Sequence, residues 1–93
     1  MAVLIMTHTA VKIAVIESER GWGRKVDDWM VCLSVGQANE WKEEYNSQNT
    51  ATSTPDWYMQ CEGEPEPIDL NEKQYAELKR AGGHKWLSSL NAL

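Results

Sequence analysis

The residues whose types and spacing could carry chemistry are concentrated between positions 17 and 28. Glu17-Ser18-Glu19-Arg20-Gly21-Trp22-Gly23-Arg24-Lys25-Val26-Asp27-Asp28 sets four carboxylates and three bases around one tryptophan held between two glycines. Glu17 and Glu19 are two apart at the end of an apolar run, so on a strand they point the same way, with Asp27 and Asp28 across a turn. Such carboxylates could hold a hard cation or share a proton. Arg20, Arg24 and Lys25 among them more simply neutralise them. Trp22 has little local packing of its own: it is either an exposed anchor with ionic neighbours, the composition of an interface hot spot, or a cap folded back over a core. An arginine stacked on its indole would contribute about 0.5–2 kcal/mol. The glycines do not make a phosphate loop, since no third glycine follows at the required spacing and no Gly-Lys-Ser/Thr is present.

Elsewhere the signals are weaker. Glu62, Glu64, Glu66 and Asp69, interleaved with Pro65 and Pro67, read as a stiff acidic connector that could lie along a basic groove or simply stay solvated. His8 and His84 sit near opposite ends without ligand-spaced partners. Cys32 and Cys61 each lie in an apolar run, which predicts two buried, reduced thiols, with a disulfide open only if their strands are neighbours. There is no serine elbow, no cysteine with a plausible base and no zinc pattern. The expectation is a binding protein rather than an enzyme, with no catalytic residue, metal or cofactor. Its binding residues are Glu17, Glu19, Arg20, Trp22, Arg24, Lys25 and Trp57. The ligand is either another protein or a nucleotide-like signal, with Arg20, Arg24 and Lys25 on phosphate and Trp22 or Trp57 stacked on a base.

Around these residues the pattern predicts an α+β domain. Residues 10–16, nearly continuous in apolar character and rich in β-branched side chains, suit a strand covered on both faces or placed centrally in the sheet, and as the most apolar strand they are expected at its centre. The charged stretch 17–28 forms a long hairpin connection, and Trp29-Met30-Val31-Cys32-Leu33 a second strand. Ser34 with Gln37 caps a helix whose apolar face is Val35, Ala38, Trp41 and Tyr45, stopping near Asn46 or Asn49. A polar loop follows over 47–54. Trp57–Glu62 is a third strand, and Asp69 with Glu72 caps a second helix carrying Leu70, Tyr75, Leu78 and Ala81 inward, ended by Gly82-Gly83. The tail, 84–93, is a last edge strand or a short docked helix. The small antiparallel sheet is expected in the order 2-1-3, with room for a further edge strand, and both helices on one of its faces.

A chain of 93 residues with 42% hydrophobic and 25% charged side chains suits one domain with one core, here residues 10–93 behind an N-terminal extension at 1–9. Met1 or Met6 could be the natural start. A net charge of −5 argues against double-stranded nucleic acid and anionic membranes as partners, and permits a basic protein. No apolar run approaches a signal core or a membrane span, so a cytoplasmic location is expected. Five Trp and three Tyr with no Phe favour partly exposed or interfacial positions. With unpaired sheet edges, they predict a homodimer or small homo-oligomer.

Lys12-Ile13-Ala14-Val15-Ile16-Glu17-Ser18-Glu19-Arg20-Gly21-Trp22-Gly23, with Lys25 and Asp27 beyond it, and Glu44-Tyr45-Asn46-Ser47 and Pro55-Asp56-Trp57-Tyr58-Met59 downstream, resembles small accessory proteins encoded by tailed bacteriophages. The resemblance spans most of residues 11–70 and carries over no functional residues. It implies a setting: the bacterial host cytoplasm early in infection, and inhibition or redirection of a host or defence component.

Overall fold

The computed structural model describes residues 7–19, 21, 23–48 and 57–93, the side chains of Trp57 and Tyr58 apart. In chain order the elements are β1 (Thr7–Glu19), β2 (Gly23–Cys32), α1 (Val35–Gln48), β3 (Trp57–Asn71), α2 (Glu72–Arg80), β4 (His84–Trp86) and α3 (Leu87–Asn91). The strands form one sheet in the order β3-β1-β2-β4, antiparallel at every pairing. The expected order 2-1-3 lies inside it, and β4 is the further edge strand. The tail is therefore both of its alternatives, three residues of strand and then a short helix.

The expected layering is corrected. Met30, Val31 and Cys32 are consecutive and all buried, which on a strand needs cover on both faces. Met30 and Cys32 pack with Ile13, Val15, Cys61 and Ala38, against which Trp41 and Tyr45 of α1 also lie. Val31 packs instead with Ala10, Leu70, Leu78 of α2 and Leu90 of α3. Thus α1 covers one face, and α2 with α3 cover one end of the other. Val35, assigned to the apolar face of α1, is 51% exposed, and Ala81 caps α2 in the open.

Three boundaries move, each for a local reason. The long hairpin connection is a short one: Glu19 pairs with Gly23, so most of the charged stretch is strand. Its residues are solvated, so the apolar alternation that marks a half-buried strand is missing. A bulge leaves Asp27 unpaired where the register steps from Val15↔Asp28 to Ile16↔Val26. β1 begins at Thr7, with Thr7, His8 and Thr9 paired to β3. The acidic connector is the second half of β3. Proline is admissible there because β3 is an edge strand, where an absent N–H breaks no ladder bond. Gly63, at φ +84°, sits in the bulge that opposes Ile13 between the Lys12↔Glu66 and Ala14↔Glu62 pairs.

The outer edge of β3 is closed by side chains. Asn46 of α1 acts as a surrogate strand: its amide donates to the Cys61 carbonyl at 2.9 Å and accepts from the Cys61 N–H at 2.7 Å. Lys42 donates to the Gly63 carbonyl at 2.8 Å. Asn46→Ala would leave both Cys61 backbone groups half-buried and unpaired, an expected loss of about 1–3 kcal/mol in a urea melt. Asn46→Asp, which can accept but not donate, should fall between; equal stability of all three proteins would refute the role.

Caps and cross-links fix the helices. Ser34 accepts from the Gln37 N–H as expected. The second capping box is Asn71 with Gln74, not Asp69 with Glu72. Asp69 is still in β3, where it accepts from the Thr9 hydroxyl. Gly82 and Gly83, at φ +89° and +98°, end α2, and Gly83 approaches Leu33 and Gln37 so closely that a Cβ would meet them at 3.3 Å. Glu77 ties α2 to β4: hydrogen bonds from Lys85 and then Arg80 hold its carboxyl below the usual range.

Candidate functional site

Burial changes along β2. Gly23 to Asp27 are exposed and Met30 to Cys32 are buried. The sheet thus runs beyond its helices at the hairpin end, in a molecule 57 Å long and 24 × 21 Å across. Val26 is 48% exposed there. It is opposite Ile16, on the face that α2 and α3 cover only at the far end. On the same face Trp29 is opposite Ala14, and the Lys12 ammonium sits 4.2 Å from its ring centroid while pairing with Glu66 at 3.6 Å.

Of the residues singled out in the sequence, Glu17, Glu19, Arg24 and Lys25 come together. With Gly23 they line a shallow pocket of about 190 Å³ at the hairpin end. Glu17 is opposite Lys25, so a carboxylate and an ammonium share one face. Arg24 lies towards the other face, where its Nε donates to the Ser18 hydroxyl at 3.2 Å and its guanidinium pairs with Glu62. Ser18 is only 7% exposed, so this bond satisfies a buried hydroxyl. Trp57 lies opposite Glu19 in β3, which brings its backbone to the same end; its side chain lies outside the described residues, as do Arg20 and Trp22. The pocket joins two carboxylates to two bases, and its acids oppose the phosphate that a nucleotide-like ligand would bring.

The four carboxylates do not converge. Asp28 accepts from the N–H groups of Trp29 and Ser88 and from the Ser88 hydroxyl, pinning the start of α3 to β2. Asp27 lies on the α1 side, where its charge adds to burial in raising the Tyr45 phenol. Among the described residues no three His, Cys, Asp or Glu side chains gather as a metal site would require. No described helix is long and apolar enough to cross a membrane.

A second cluster joins two residues of the apolar face of α1 to Trp86 of β4. Trp41 and Tyr45 stack at 4.7 Å between centroids, and Trp86 meets Trp41 edge-on at 5.6 Å. A groove of about 310 Å³ runs beside them, lined by Trp41, Glu44, Tyr45, Gln48 and His84. The i,i+4 spacing of Trp41 and Tyr45 gave their shared face. Contact with Trp86 depends on β4, which sequence periodicity did not distinguish from helix. No family model, no curated protein and no solved structure matches the chain.

Proposed function

We propose that this chain is a non-enzymatic, phage-type accessory protein that binds a bacterial host or defence protein in the host cytoplasm and modulates or inhibits it. The observation that supports the reading is the protruding hairpin half of the sheet. Five consecutive residues of β2, Gly23 to Asp27, are exposed, combining two bases, an exposed valine and an acid. A surface of that mixture, with a net charge of −5 over the whole chain, suits a partner with complementary basic and apolar patches.

The test is capture from bacterial lysate by the wild type and by the variant joining Trp22→Ala and Arg24→Ala. The Arg24–Glu62 pair is solvent-exposed and worth at most about 1 kcal/mol, while losing the Arg24 bond to the buried Ser18 hydroxyl costs about 1–3 kcal/mol, so Arg24→Ala alone is the stability reference, and the double variant should melt close to it. A specific host protein retained by the wild type and lost by the folded variant is the expected result. A double variant that melts well below Arg24→Ala yet captures the same protein would assign Trp22 to the core and sink the proposal. Tryptophan quenching by nucleoside phosphates, with no protein retained, would replace the partner by a small ligand.

A further inference from the structure

We infer that the exposed edge of β2 pairs with the same edge of a second copy, antiparallel about a twofold axis through Val26. β4 flanks β2 only at Met30, Val31 and Cys32, and α3 then leaves the edge, held by Ser88 on Asp28. Gly23 to Asp27, beyond that contact, therefore has no strand on its outer side among the described residues. The opposite edge of the sheet is protected by Asn46, Lys42 and the prolines of β3, whereas among the described residues this one carries charges and one bulge.

The sequence of the edge is charge-complementary to itself. Read in opposite directions, Arg24-Lys25-Val26-Asp27-Asp28 places Lys25 against the partner's Asp27, Asp27 against the partner's Lys25, and Val26 against its own copy. Lys25 is on the α1 face, opposite Glu17. The bulge puts Asp27 on that face too, near enough to Tyr45 to act on it. The two charges thus meet across strands on one side of the joined sheet, while the exposed valines meet on the other. Arg24 and Asp28 lie on opposite faces and are occupied within the chain, so they add nothing to the pairing. Registers centred on Lys25 or Asp27 would oppose like charges, which is destabilising. The charge pattern therefore selects the register as well as the partner. The outcome is an eight-stranded sheet in which the uncovered faces carrying Val26, Ile16 and Trp29 become continuous.

The experiment is sedimentation equilibrium of the full chain with charge reversals. Wild type at high micromolar concentration should approach twice 10.6 kDa. Lys25→Asp opposes four acids at the dyad and Asp27→Lys four bases, so each alone should weaken self-association at least tenfold. An equimolar mixture of the two should restore it as a heterodimer, because each variant then supplies what the other lacks. The double reversal should dimerise alone. Melting of each variant shows whether it folds; if a single reversal does not, the double reversal, with wild-type composition, still decides. A wild type that stays monomeric, a dimer indifferent to single reversals, or a folded double reversal that stays monomeric would each overturn the inference. Mass is read without any host protein, so its failure is distinct from failure to capture a partner.

Discussion

Ile13→Ala is expected to destabilise the fold by about 2–5 kcal/mol and to lower its melting temperature by roughly 8–40 °C, at ~4–8 °C per kcal/mol for a domain of this size. Ile13 is fully buried in β1, the strand flanked by β3 and β2, and packs between Met30, Cys32 and Cys61 under α1. Removing its outer carbons leaves a cavity that β1, hydrogen-bonded to a strand on each side, cannot move to close. Total stability for such a chain is on the order of 5–14 kcal/mol, so the loss is a large share of it. Leu78→Ala, fully buried on the other face, should cost a similar amount. The two clusters share no buried residue, so the costs should add to within about 0.5 kcal/mol. Strong coupling between the two changes, or a cost under about 1 kcal/mol for either, would show that the faces are not separate cores.

The second core could have been read from the sequence and was missed for a definite reason. Residues 10–16, apolar but for Lys12, and residues 29–33, apolar throughout, have the pattern of strands covered on both sides, whereas a two-layer domain puts both helices on one side. The strand order followed from a hairpin and one helical crossover, and needed no tertiary detail. Periodicity could not place the solvated half of β2, since Arg24, Lys25, Asp27 and Asp28 look the same in a strand as in a loop. Pro65 and Pro67 look like a connector until β3 is known to be an edge. The capping box falls on Asn71 with Gln74 rather than on Asp69 with Glu72, because strand pairing holds Asp69 against Thr9. The candidate site was legible in the same partial way. Composition singled out Glu17, Glu19, Arg24 and Lys25, and the register of β1 on β2 brings them to one end. That Arg24 turns away to Ser18 and Glu62 depends on strand parity, and so on where the strand begins.

Cys32 and Cys61 should resist alkylation at pH 8 at least about 100-fold in the folded protein relative to the unfolded one. Both are free and 0% and 1% exposed. Burial pushes each thiol from its ordinary 9.0 up to about 11; for Cys61 the nearby Lys42 opposes this while Cys32 and Glu62 add to it. The thiolate is the reacting form, so a rise from 9.0 to about 11 cuts its population roughly a hundredfold well below both values, before access is considered. A disulfide does not compete, because the two strands are not neighbours: β1 lies between β2 and β3. Cys32 is opposite Val11 and Cys61 opposite Val15. Two strand spacings of about 4.8 Å and four residues of rise put their Cα atoms far beyond the ~7 Å that a bridge allows. The same shift has a consequence for stability. A group whose folded pKa is raised stabilises the fold fully below its unfolded value, so the contribution is intact below pH 9 and is lost as pH climbs towards about 11. Mass spectrometry after native and denaturing alkylation reads the first claim, and melts across alkaline pH read the second. One thiol labelled as fast in the folded protein as in urea, or a mass short by two hydrogens, would mean that α1 does not seal this face of the sheet. Asn46, which anchors α1 to β3 at Cys61, would then be the first contact to re-examine.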